Sequence, residues 1–175
     1  MKYFTNRSQL ARMDFHTKLI MTYFLIFTLL AIGFSIYMSV QRTNLSMQGA
    51  ADYYRGDEKR MMFGKELTEL TETTHYHAFI MPLIFLTTGH LFLLSAWGRR
   101  WKTIMITGGF IYVLLDLAKP WLIRYASEDF GLLAPVNSVL LSATFTVFIL
   151  VPLYEMWLLN PNRSDSAARE PTLGD

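Results

Sequence analysis

The residues able to ligate a metal or carry protons crowd into one part of this chain. Three of its four histidines, His75, His77 and His90, fall inside "ELTETTHYHAFIMPLIFLTTGH". Glu69, Glu72 and His75 recur at every third position, a spacing that puts them near one face of a helix. Two carboxylates and an imidazole so placed suit zinc, copper or iron. One Glu-x-x-His is half of a di-iron bundle signature, and the sequence holds no second copy. The plainer reading of these residues is a helix boundary capped by Thr73 or Thr74.

His77 and His90 suggest haem b, whose iron accepts imidazole nitrogen and which moves electrons when buried between helices. They are thirteen residues apart on one apolar run, so a helix would separate them by ~20 Å and ~140° of rotation. Gly108 and Gly109, on the next run, would let a flat macrocycle approach His90, or simply let two helices pack closely. A bis-histidine site needs a second imidazole at the same depth, and no other apolar run has one. Methionine or another chain would have to supply it. A hydrogen bond to a neighbouring hydroxyl is the simpler fate of His90.

"LLDLAKPW" adds Asp116 and Lys119, three apart and able to pair on one helical face. An intramembrane carboxylate is often a proton acceptor, and Asp116 is expected near the depth of His77, where it could serve a quinone headgroup. Pro120 predicts that the helix ends or kinks at Lys119.

These groups need elements to hold them, and composition says what kind. The 175 residues are 52% apolar and only 17% charged, with a formal net charge of +2. That balance offers no basic stripe for nucleic acid. The absence of cysteine rules out disulfides, thiolate metal sites and a cysteine nucleophile. Charge gathers in short stretches and leaves four long apolar runs, each near the ~20 residues needed to cross a bilayer. The spans are expected at about 19–41, 75–97, 103–123 and 132–157 within one membrane domain, 1–159. The fold class is therefore all-α, an integral membrane four-helix bundle, with the lipid bilayer as its first partner.

Between the first two spans, 42–74 reads as an outer loop containing a short interfacial helix. "KELTELTET" favours helix, and Phe63, Leu67 and Leu70 follow spacings of four and three. Tyr53, Tyr54 and the four tryptophans fall near expected interfaces, where amphipathic rings anchor. Glu155 is expected to meet an interface too. Residues 160–175 are polar and read as a disordered cytoplasmic tail.

Lysine and arginine set the orientation. "GRRWK" and the basic leader, Lys2, Arg7, Arg12 and Lys18, put both termini in the cytoplasm, although the long loop also carries five cations. The leader and first run read as an uncleaved anchor, because the run is longer than a signal peptide's. "TTHYHAFIMPLIFLTTGHLFLL", with its Thr-His-x-His, resembles small bacterial four-span inner-membrane proteins. That resemblance implies a bacterial cytoplasmic membrane and no particular activity.

No catalytic signature occurs. The expected role is an accessory or structural subunit of a larger membrane complex or homo-oligomer, leaning toward electron transfer because of His77 and His90. The alternatives are a b-type haem or quinone carrier and a metal-binding protein using Glu69, Glu72 and His75.

Overall fold

The computed structural model describes residues 9–159, so the leader residues Lys2 and Arg7 and the tail 160–175 lie outside the described residues. Five helices carry the fold: α1 (Phe15–Thr43), α2 (Met47–Arg55), α3 (Leu67–Leu93), α4 (Arg99–Trp121) and α5 (Leu133–Trp157). Four helical stretches are long and apolar enough to cross a membrane: Phe15–Thr43, Leu67–Leu93, Arg99–Ala126 and Glu128–Trp157. The chain is an integral membrane helical bundle, as its hydropathy dictates.

Local chemistry sets the boundaries. Asp14 caps α1 by accepting from the Thr17 amide at 3.0 Å. The Thr17 hydroxyl is the main cause holding the Asp14 carboxyl below its usual range. Asn44 and Leu45, both at positive φ, then break the helix, and Ser46 caps α2 through the Gly49 amide. At the other end of this loop, Glu66 and Glu69 form a reciprocal capping box that starts α3. Between them lies a two-residue hairpin, β1 (Gly56–Asp57) paired antiparallel with β2 (Met62–Phe63). Gly56 has a φ of 94°, and a Cβ there would sit 2.7 Å from the Met62 carbonyl, so glycine is required.

Two expectations about boundaries are corrected. The loop does contain a short helix, but it is α2. "KELTELTET" is instead the first part of α3, continuous with the second span. Phe63 lies on β2 and is 95% exposed while Leu70 is buried, so Phe63, Leu67 and Leu70 form no common stripe. Pro120 does not end its helix either. The chain runs through Trp121 into a π turn, Leu122–Ala126, so Pro120 is carried inside a continuous helical stretch.

α3, α4 and α5 pack pairwise, and α1 lies against α5 and α2. The middle of the bundle is aromatic. Phe92 stacks on Phe148 at 4.7 Å, and Phe85 contacts Phe148 and Phe145 at 5.2 and 5.9 Å. One end is closed by the segment Leu10–Arg12, whose Leu10 is buried with Leu25, Leu91, Ile149 and Met156. That end holds the start of α1, the α3–α4 turn and the end of α5, and is called here the terminal end. The α2 end is opposite.

Ionic groups clamp the terminal end. Lys102 donates to the Leu93 and Ser95 carbonyls at 2.8 and 2.6 Å, satisfying acceptors that α3 leaves open where it stops. Glu155 accepts the Ala96 amide at 2.9 Å. Both side chains belong to residues only 4% exposed. Glu155 is thus a buried clamp on the α3–α4 turn, two residues before the end of α5. The turn's missing backbone partners explain why a carboxylate is drawn inside.

Candidate functional site

Toward the α2 end, α1 and α3 part and leave a cavity of about 960 Å³. Its walls are the second half of α1, the first half of α3, the end of α4 and the start of α5, with Tyr53 and Tyr54 of α2 across the top. The α1 wall carries Ala31, Ser35, Ser39 and Arg42, spaced by four, four and three residues, with Phe34, Ile36 and Met38 beside them, so the polar stripe of this membrane span borders the cavity. Facing it, α3 contributes Glu69, Glu72, Thr73, His77 and Met81. Both walls run from charged residues near α2 to apolar ones near the middle of the bundle.

Asp116 is the hub of the floor. It accepts a hydrogen bond from Lys119, and the two side chains are each 13% exposed. His77 Nδ1 lies 4.0 Å from Asp116 Oδ2. Asn137 donates to the Tyr112 carbonyl at 3.1 Å and reaches Asp116 at 3.5 Å. The Asn137 Oδ1 is buried with no partner, an acceptor left open beside this cluster. Trp121 bonds Thr74 at 2.8 Å, tying α4 to α3 at the same level. Asp116, Lys119 and His77 therefore assemble as their spacing and depth suggest.

The rim holds a second set of charges. Lys65 pairs with Glu69 at 3.1 Å, and Glu69 also accepts the Glu66 amide. The ammonium of Lys65 and the guanidinium of Arg42 lie 4.9 and 5.7 Å from the Tyr53 ring centroid, within cation–π reach. Tyr53 meets Tyr54 edge-on at 4.9 Å. Burial is the main cause that raises the Tyr54 phenol above its usual range, so it stays a neutral hydroxyl. Arg42 has no anion and Glu72 no cation or hydrogen-bond donor among the described residues.

The other candidate residues are not gathered. Glu69 is committed to the capping box, and His75 turns its ring toward Phe79 at 5.2 Å. Among the described residues no three His, Asp or Glu side chains group as metal ligands, so Glu69, Glu72 and His75 do not converge. The reason is local: the helix starts before them, and capping takes the first carboxylate. His90 lies on the outward face of α3 between buried Gly89 and Leu91. The space beside Gly109 belongs to Phe85, whose ring would be 2.3 Å from a Cβ there, and Tyr112 lies against Gly108. Those glycines admit aromatic side chains between helices, and His90 and the glycines do not enclose a haem slot.

Sequence reasoning missed Arg42, Glu72 as a cavity residue, and the hydroxyls of α1. The signal was present as Thr28, Ser35, Ser39 and Arg42 on one helical face, inside a run whose average hydropathy conceals it.

Neither the curated proteins nor the solved structures contain a match to this chain. Residues 44–164, well over half of its length, match a family of transmembrane helical domains, and the chain belongs to that family, Aq_1264_TM.

Proposed function

We propose that this protein is a membrane-embedded binding subunit that takes the polar head of a bilayer amphiphile into the cavity between α1 and α3. The observation that carries the reading is the polar stripe of α1, turned toward a cavity whose polarity falls with depth. A membrane span has no reason to align hydroxyls and an arginine along one side unless polar groups or water meet them. The α2 end would lie at one membrane surface, with the tail of the ligand leaving between α1 and α3. Such a protein suits an accessory role in a larger membrane complex. We place its termini on the cytoplasmic side of a bacterial inner membrane, in keeping with Arg99 and Arg100 beside the terminal end. A carboxy-terminal reporter active only outside the cytoplasm would overturn that orientation.

The test is photolabelling of the purified protein in vesicles with a diacyl lipid whose photoreactive group sits near the head. Label is expected on 35–42 of α1 and 72–81 of α3. Label spread over the outward residues Phe27, Leu30 and Ile111 instead would sink the reading. The 4.0 Å approach of His77 to Asp116 favours a second reading, in which the head is a quinone whose carbonyl accepts a hydrogen bond from His77, with Asp116 orienting the imidazole. A photoreactive benzoquinone would then label the same segments and lose that label in Asp116→Asn.

A further inference from the structure

We infer that the cavity recognises a zwitterionic phosphodiester–ammonium head, as carried by phosphatidylethanolamine, with Arg42 on the phosphate and Glu72 on the ammonium. This rests on the amphiphile reading above and names its ligand class.

The charges of the cavity decide the matter by subtraction. Six ionic side chains besides His77 line it: Arg42, Lys65 and Lys119 against Glu69, Glu72 and Asp116. Two pairs are already made, Lys65 with Glu69 and Lys119 with Asp116. One cation and one carboxylate remain, on the two helices that flank the opening. An anionic lipid would satisfy Arg42 and leave Glu72 facing added negative charge. A cationic amphiphile would do the reverse. A head carrying both signs satisfies each without breaking an existing pair.

Geometry adds a second argument. Arg42 can present a planar fork of donors to a phosphate, and a primary ammonium has three donors for a carboxylate. Arg42 is held from one side only, by its contact with the Tyr53 ring, which leaves its edge available. Tyr54 supplies a neutral hydroxyl beside them. From Arg42 to Ala31 the α1 wall descends ~16 Å by helix rise, passing two serines set among Met38, Ile36 and Phe34. A glycerol backbone and the first part of an acyl chain need such a mixed wall. Among the described residues exposed Glu72 has no bonded partner and exposed Arg42 has only its contact with the Tyr53 ring, so the fold does not depend on an ion pair at either.

The experiment is native mass spectrometry of the full chain released from micelles containing equal phosphatidylethanolamine and phosphatidylglycerol. Wild type is expected to retain the ethanolamine lipid by about tenfold, the worth of one charge-assisted hydrogen bond. Glu72→Gln should abolish or reverse the preference, while Arg42→Gln should weaken retention of both lipids. Thermal unfolding of each variant is measured alongside and should match wild type. Excess soluble glycerophosphoethanolamine should displace the lipid poorly; displacement at equal concentrations would overturn a lipid as the source of the head. Tighter retention of phosphatidylglycerol or of a quinone, with photolabel still on 35–42 and 72–81, would overturn the headgroup assignment and leave the amphiphile reading standing. Loss of that label for every amphiphile would overturn both.

Discussion

At the terminal end, Lys102 and Glu155 are inside the protein and bonded to backbone, whereas at the α2 end Arg42 and Glu72 stand in an open cavity without ionic partners among the described residues. The same residue types serve opposite purposes. A buried charge that replaces missing backbone partners fixes a turn, and removing it leaves polar groups stranded. A rim charge without a partner adds nothing to folding and is free to meet a ligand. Packing follows the same division. Near the middle and the terminal end, Phe85, Phe92, Phe148 and Leu10 are fully enclosed, while α1 is mostly exposed beyond Leu25 and Thr28 apart from Thr43 near its end. The bundle is closely packed at one end and left open at the other, as a site that must admit a ligand requires.

The strongest way to break this contrast is Lys102→Met. The substitution keeps an apolar stem and removes the donors to the Leu93 and Ser95 carbonyls. Each stranded acceptor costs roughly 1–3 kcal/mol, so a loss near 3 kcal/mol is expected. Unfolding by denaturing detergent, followed by circular dichroism, measures it. A variant as stable as wild type would mean that water replaces the ammonium, and the terminal end would not be closed as described.

Gly109→Ala probes the middle of the bundle and should rank second. Its new Cβ would sit 2.3 Å from the Phe85 ring and 3.1 Å from the Thr144 methyl. Phe85 is flanked by Phe110, Phe145 and Phe148, so its ring has little freedom to give way. Overpacking of this sort costs about 1–3 kcal/mol. The same unfolding assay should place the variant below wild type and above Lys102→Met. An unchanged midpoint would show that α3 and α4 can separate, and would reopen the space beside Gly109 to a larger occupant.

These residues also mark how far the sequence could be read. The four spans were legible because charge-free runs of membrane length have few other uses. Asp116, Lys119 and His77 were legible because spacing and depth along two helices bring them together. The helix in the loop was misplaced because "KELTELTET" has strong helical periodicity, while "MQGAADYYR" is short and rich in small residues. Periodicity reports that a helix exists, not whether it joins the next one. Lys102 and Glu155 meet the α3–α4 turn through contacts set by folding, and such contacts have no spacing to detect. The α1 stripe was hidden by averaging, since four polar positions on one face barely lower the hydropathy of a 29-residue helix.

The smallest expected effect on stability is at that stripe, and it sharpens the comparison most. Ser39→Leu adds two heavy atoms where Gly109→Ala adds one, yet it adds them to a cavity wall. The Ser39 hydroxyl makes no hydrogen bond, and only its carbonyl is used, by Thr43. Leucine is also the better helix former. Unfolding should therefore stay within about 0.5 kcal/mol of wild type, as for a surface substitution. Binding should respond in the opposite sense. A branched apolar side chain between Ser35 and Arg42 fills the path of the head, so photolabel on 72–81 should fall several-fold. A stable variant that loses its ligand would separate folding from function at the α2 end, where Lys102→Met cannot separate them. A variant destabilised as much as Gly109→Ala would show α1 closed against α3 in the membrane, and the cavity would not be a site.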